Sequence, residues 1–304
     1  LAFTAAPLTG YAVRIEPAAQ EGVTSNIFGS AGSESEFYRQ ISQTITQGQE
    51  SLTITLDQPV SDQEEFIELC RQAVYQARRD YPESFLSNHT EFVYYYNESG
   101  YYQVTFSFRY LDLTDEQKQA MFATVDGIVA QARAQTGGDT VGMLRYFQQA
   151  LCERAEYDFA AARSDSDHYP NSYHAYGALM EGKSVCQGYA YAFKLLCDRA
   201  QIPCWIVTGT YGDEPHAWNY VWVNNNYYLV DVTWDDANNR PADSAFFLAG
   251  RDHAANYHVE DNCAPGTLAA RSYSETGTTV IRRARQQTNQ EESSSRTLAG
   301  AAKG

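Results

Sequence analysis

The most restrictive feature of this sequence lies between residues 184 and 233, where the apolar spacing turns from helical to strand-like. Tyr189, Ala192, Phe193, Leu196 and Cys197 recur at helical spacing. Three β-favouring runs follow, at 203–210, 216–223 and 227–233. Asn224-Asn225-Asn226 joins the last two, and Asn tolerates the positive φ that a tight hairpin needs. The stretch therefore reads as one helix and three strands, two of them a hairpin. Ser184 and Gln187 stand in the Ser-x-x-Gln capping-box pattern at the start of the helix, which puts Cys186 at its second residue. Unpaired N–H groups and the helix dipole favour a thiolate there. Gly182 and Gly188 leave room beside it.

Strand register brings two more residues to this cysteine's chemistry. If Asn224-Asn225 form a two-residue turn, Val223 pairs with Asn226, and by extension His216 pairs with Thr233. Asp231 lies two residues from Thr233, on the face of His216 and diagonal to it, about 7–8 Å away at the backbone. A shift of one residue at one end would put the two on opposite faces. A nucleophilic cysteine needs a neighbouring His to take and return its proton. An Asp on the far ring nitrogen fixes the tautomer and stabilises the imidazolium. Taken singly, His216 reads as a core histidine and Asp231 as a strand-end cap. Their joint occurrence with Cys186 points to a Cys–His–Asp site.

Composition narrows the function classes. With Lys+Arg 22 and Asp+Glu 38 the net charge is -16, which repels phosphate backbones and anionic lipid, so neither nucleic-acid binding nor membrane docking is expected. No apolar run approaches a membrane span, so no membrane insertion is expected. The six cysteines form no CxxC pair and no zinc spacing, and no metal site is expected. The five besides Cys186 read as small buried hydrophobes, with a Cys197–Cys204 disulfide left open. The chain opens on Leu1 rather than Met, as either a removed signal peptide or a trimmed chain would leave it, and the 23 tyrosines with few lysines suit an exported protein.

The remaining sequence divides by composition. Residues 1–40 read as an extended lead-in or linker. A strand at 51–57 ends at Pro59, and a capping box at Ser61 and Glu64 opens a helix bearing Phe66, Leu69, Cys70, Val74 and Ala77. Two aromatic runs, 91–96 and 101–110, flank Asn97-Glu98-Ser99-Gly100 as a hairpin. Thr114 and Gln117 open a further helix, closed by Gly137-Gly138. Residues 41–137 thus form a small α+β domain, 138–282 the domain of the cysteine, and 283–304 a disordered tail.

Four motifs in order, Tyr157-Asp158 through Tyr176-Gly177-Ala178-Leu179, Val185-Cys186-Gln187-Gly188-Tyr189-Ala190, His216-Ala217-Trp218-Asn219 and Val230-Asp231-Val232-Thr233-Trp234-Asp235-Asp236, resemble the bacterial transglutaminase-like domain. The resemblance covers roughly residues 140–250. It implies an α+β, papain-like core, with the Cys at a helix N-terminus packed on an antiparallel sheet that bears His and Asp. It implies Cys186 as nucleophile, His216 as general base and acid, and Asp231 as orienter, with Asp235 and Asp236 as runners-up. Gln187, Tyr176, Trp218 and Trp234 are candidate substrate contacts, the tryptophans also reading as packing around the site. The expected activity is acyl transfer through a thioester, from a peptide bond or a Gln or Asn side-chain amide, to water or an amine. The substrate would be a protein or peptide, cell-wall peptide included, and no cofactor is implied. The expected location is secreted or at a bacterial cell surface. Two other readings are a non-catalytic surface binding or scaffold module, and an acyltransferase using a small thioester donor.

Overall fold

The computed structural model describes residues 23–25, 36–237, 245–260 and 263–274. Most of the lead-in and all of the tail at 283–304 lie outside the described residues. Within the lead-in, strand β1 (Val23–Ser25) pairs in parallel with Ile54–Leu56 of the next strand, and helix α1 spans Glu36–Thr46. So residues 36–40 are helical rather than linker. Phe37, Tyr38, Ile41 and Ile45, all buried, form an apolar stripe on α1 at helical spacing.

Strand β2 (Ser51–Val60), helix α2 (Gln63–Asp80), strand β3 (Leu86–Asn97) and strand β4 (Gly100–Tyr110) complete this unit. The sheet runs β1-β2-β4-β3. Strand β2 passes through Pro59, where its register with β4 is irregular between Thr55 and Val60; proline is tolerated there because no ladder N–H is required. The β3–β4 hairpin closes at Asn97 opposite Gly100, as expected. Helix α2 begins one residue later than its capping pattern predicts: Asp62 is the N-cap, accepting from the Glu65 N–H at 2.9 Å. Phe66, Cys70, Val74 and Ala77 enter a core with Ile54, Val104 and Phe106.

Helix α3 (Asp115–Thr136) has the expected capping box at Thr114 and Gln117 and a left-handed Gly137 after it. Its buried face does not join the N-terminal core. Met121, Val125, Ile128, Val129 and Ala132 pack with Phe147 and Leu151 of α4 (Thr140–Arg154), which moves this helix across the expected boundary at 137. A short parallel pair, β5 (Glu156–Tyr157) and β6 (Lys183–Ser184), leads into helix α5 (Cys186–Ala200). Strands β7 (Cys204–Tyr211), β8 (Glu214–Val223) and β9 (Asn226–Val230) follow, then α6 (Val232–Ala237), β10 (Phe247–Ala249) and β11 (Tyr257–Val259). These strands form an antiparallel sheet in the order β10-β9-β8-β7-β11. Helix α5 buries Tyr189, Phe193 and Leu196 in a core shared by α3, α4 and the sheet. All six cysteines are free, and Cys197 and Cys204 hydrogen-bond as thiols rather than forming a disulfide. Among the described residues no helix is long and apolar enough to cross a membrane, and no cluster of three metal-ligating side chains occurs.

Candidate active site

Cys186 is the first residue of α5, not the second, and the expected capping box does not form. Val185 is the N-cap. Ser184 lies in β6, its hydroxyl bonded to the Ser172 and Val185 carbonyls at 3.3 and 3.0 Å. Gln187 turns its amide away, donating at 2.8 Å to both Asn88 Oδ1 and the Tyr173 carbonyl. The Tyr189 N–H reaches Val185 O at 3.1 Å, and the N–H groups before it belong to the first turn, which has no intrahelical acceptors. Gly188 allows this turn to sit close: a Cβ there would meet the Ser172 and His174 carbonyls at 2.6 and 2.9 Å.

The β8–β9 hairpin has the expected register, with Val223 opposite Asn226 and positive φ at Asn224 and Asn225. Pairing stops at Asn219–Val230, so the extrapolated His216–Thr233 pair is absent. The Asp231 N–H donates instead to Phe246 O of the chain entering β10, and the backbone turns into α6. The side chains meet nonetheless: His216 Nε2 lies 2.7 Å from Asp231 Oδ2, with both groups buried. The Tyr257 hydroxyl donates to the same oxygen at 2.8 Å. Oδ1 caps α6, accepting from the Thr233 and Trp234 N–H groups at 3.1 and 3.4 Å. Four donors thus hold one carboxylate.

Cys186 acts on His216 from beside the ring. Because Nε2 is on Asp231, Nδ1 is the nitrogen that faces the thiol. Trp218 stacks on the imidazole with centroids 5.9 Å apart, and Trp234 tilts against it at the same distance. Tyr211 and Tyr257 add two further rings at 6.4 Å. Burial disfavours the imidazolium, but the charge and hydrogen bond of Asp231, helped by Cys186, outweigh it and push the His216 pKa up to about 10. Burial, then the Cys186 charge, pushes Tyr173 up to about 12. Tyr257 is raised by burial first and the Asp231 charge second.

A cleft of about 700 Å³ opens on His216 and Gln187. Its walls are the β7–β11 edge and helix α2 of the N-terminal unit. Of the four candidate substrate contacts, only Gln187 lines it. Tyr176 is buried in the helical core, and Trp218 is 1% exposed, so both pack rather than present a surface. Trp234 is partly buried against Tyr211 at 4.9 Å. Asp236 accepts the Tyr189 hydroxyl at 2.6 Å and Asp235 is buried, so Asp231 alone of the three acids meets His216. His174 is buried, with Nε2 on Pro82 O at 2.8 Å, and burial lowers its pKa to about 4. Sequence reasoning missed Tyr257, Asn88 and the α2 wall. All three come from segments remote in sequence, and their local patterns carry no signal of the site.

A family model of the transglutaminase-like superfamily matches residues 125–232, a span that holds Cys186, His216 and Asp231. Kyphoscoliosis peptidase of Homo sapiens is 31% identical over 96 residues, which are 28% of this chain and 14% of that protein. A crystal structure described as a TGase is 15% identical, with a TM-score of 0.34 over 60% of this chain and 51% of that one. The periplasmic domain of TgpA from Pseudomonas aeruginosa is 17% identical, with a TM-score of 0.31 over 46% of this chain and 57% of that one. The chain therefore spans a small part of its curated relative and about half of each solved neighbour. The span that matches the transglutaminase-like superfamily model thus carries a helix-borne cysteine packed against an antiparallel sheet.

Proposed function

We propose that this domain is a cysteine acyl-transfer enzyme acting on peptide bonds or on Gln or Asn side-chain amides of a protein or peptide, cell-wall peptide included. The carrying observation is the buried 2.7 Å bond between His216 Nε2 and Asp231 Oδ2, on a ring whose other side faces a helix-start cysteine. Asp231 holds the proton on Nε2, orients Nδ1 towards Cys186 and stabilises the imidazolium. The Cys186 thiolate attacks the amide carbonyl carbon, an S–C bond forms, and the oxygen takes the negative charge. His216 gives its proton to the leaving nitrogen, the C–N bond breaks, and an amine or ammonia departs from a thioester. Water or an amine then adds as His216 takes its proton, and the C–S bond breaks to restore the thiolate. First-turn N–H groups of α5, that of Cys186 among them, are the oxyanion donors. The Gln187 side chain is not one, because both hydrogens of its Nε2 are given to Asn88 and Tyr173.

An exported bacterial setting remains part of this proposal, on composition and motif resemblance alone. One observation favours the rival reading of a non-catalytic binding module: Cys186 is only 3% exposed. Limiting iodoacetamide from pH 5 to 9, with mass-spectrometric mapping, decides between them. An enzyme labels selectively at Cys186 below pH 7 and loses that selectivity in His216→Ala. An inert Cys186, or one with an ordinary thiol profile, sinks the acyl-transfer reading.

A further inference from the structure

Strand β11 is one edge of the five-stranded sheet, and among the described strands it pairs with β7 alone. Its register sets Tyr257 opposite Tyr211, His258 opposite Thr210 and Val259 opposite Gly209. The Gly212 N–H donates to Asn256 O at 2.8 Å, and the Glu260 N–H to Thr208 O at 3.0 Å. Facing residues of an antiparallel pair are alternately bonded and non-bonded. The main-chain groups of Asn256, His258 and Glu260 are therefore spent on β7, and those of Tyr257 and Val259 point away from it. The Tyr257 N–H turns back to Ala254 O at 3.1 Å. The Tyr257 C=O and both main-chain groups of Val259 have no partner among the described residues.

This edge is set beside the chemistry. Val259 is 37% exposed and lines the cleft that opens on His216 and Gln187, with α2 as the facing wall. A Cβ at Gly209 would meet the His258 carbonyl oxygen, so glycine there is what lets β11 lie against β7. His216 is opposite Gly209, and Gly209 is opposite Val259, so the three stand in one row across the sheet. At about 4.8 Å per strand, a chain added outside β11 runs about 14 Å from His216. An extended peptide covers that distance in roughly four residues. Main-chain donors and acceptors at a strand's repeat match a peptide backbone, not an isolated amide. The edge is only three residues long. That suits one extended chain held also by the cleft walls, and it is short for the sheet of a second folded copy.

We propose that β11 is the substrate-docking edge of this domain. A polypeptide substrate adds as a further strand, exchanging main-chain hydrogen bonds with the Val259 N–H and C=O and donating one to the Tyr257 C=O. The substrate is thus an extended chain reaching about four residues beyond the reacting amide. This rests on the acyl-transfer reading, and the test separates the two. The probes are peptide amides of two, four, six and eight residues with an iodoacetyl group at the N-terminus or on the side chain of a C-terminal Lys. The Cys186 thiolate displaces iodide from each to form a thioether, and each rate is divided by the same protein's rate with iodoacetamide. In one of the two series the rate is expected to rise about tenfold between four and eight residues. Backbone N-methylation of the longest probe is expected to slow it about two- to tenfold at alternate positions and not at those between. Val259→Pro removes an outward N–H and no ladder bond, and is expected to cut the long-probe gain by a similar factor. Rates independent of length in both series, N-methyl effects without alternation, or a gain intact in Val259→Pro overturns the docking edge while leaving the nucleophile standing. A native dimer that dissociates in Val259→Pro assigns the edge to a second copy and overturns it too. Failure of iodoacetamide itself to select Cys186 below pH 7 overturns both readings.

Discussion

Asp231→Asn isolates the buried pair at nearly constant side-chain size. The amide oxygen can keep the Oδ1 position, where it caps α6 through the Thr233 and Trp234 N–H groups. The other position changes from acceptor to donor. There the native Oδ2 receives His216 Nε2 at 2.7 Å and the Tyr257 hydroxyl at 2.8 Å. An NH₂ group at that point forces Nε2 to accept, and the ring proton moves to Nδ1, the side of Cys186. The sign for His216 follows from the competing causes: burial opposes the imidazolium, and Asp231 is the main reason its pKa stands at about 10. Without the carboxylate, burial remains and the ring is neutral at pH 7. Labelling should then follow an ordinary thiol with a midpoint near 8.5, whose thiolate fraction at pH 6 is about 1/300. The more basic thiolate is intrinsically faster, with a Brønsted slope of roughly 0.4–0.5, and this recovers about tenfold to twentyfold. The net expectation is about 15- to 30-fold slower iodoacetamide labelling of Cys186 at pH 6, and labelling at least as fast as native at pH 9. The two pH profiles must cross. Profiles that superimpose, or that differ by a constant factor at every pH, refute the claim that Asp231 sustains an ionised Cys–His pair.

The same pair makes stability depend on pH. The folded pKa of His216 is raised, so its contribution is complete below 6.5 and is lost as the pH rises through about 10. The gap in urea stability between the native protein and Asp231→Asn should narrow over that range by at most about 5 kcal/mol. His174 works in the opposite direction: its folded pKa is lowered to about 4, so stability falls between pH 6.5 and 4, by roughly 3 kcal/mol, and His174→Phe should flatten that slope in urea titrations. Tyr257→Phe removes one donor from a buried carboxylate and should cost about 1–3 kcal/mol at pH 7 by urea unfolding, while His216 keeps its proton. Gly188→Ala drives a Cβ against two backbone carbonyls and should cost at least about 1–3 kcal/mol and slow Cys186 labelling; unchanged thermal unfolding would contradict the close packing of this turn.

Sequence by itself determined the elements and the residues that could bear chemistry. Asn224-Asn225 set the β8–β9 register because few residues accept positive φ, and Thr114 with Gln117 set the start of α3 because both cap groups are local. The same local logic misplaced the start of α5. A capping box needs Ser184 at the N-cap and the Gln187 carbonyl oxygen turned back to it, but Ser184 is drawn into β6 and Asn88 donates to that oxygen. The tertiary structure alone decided how His216 and Asp231 meet. β9 ends at Val230, and the pair forms through a turn that also caps α6, rather than through continued strand pairing. It likewise brought Tyr257 to the carboxylate from β11 and seated α2 of the N-terminal unit across the cleft. Periodicity records which face of an element is apolar, but the partner of its polar face is chosen only when distant segments compete for the same hydrogen bonds.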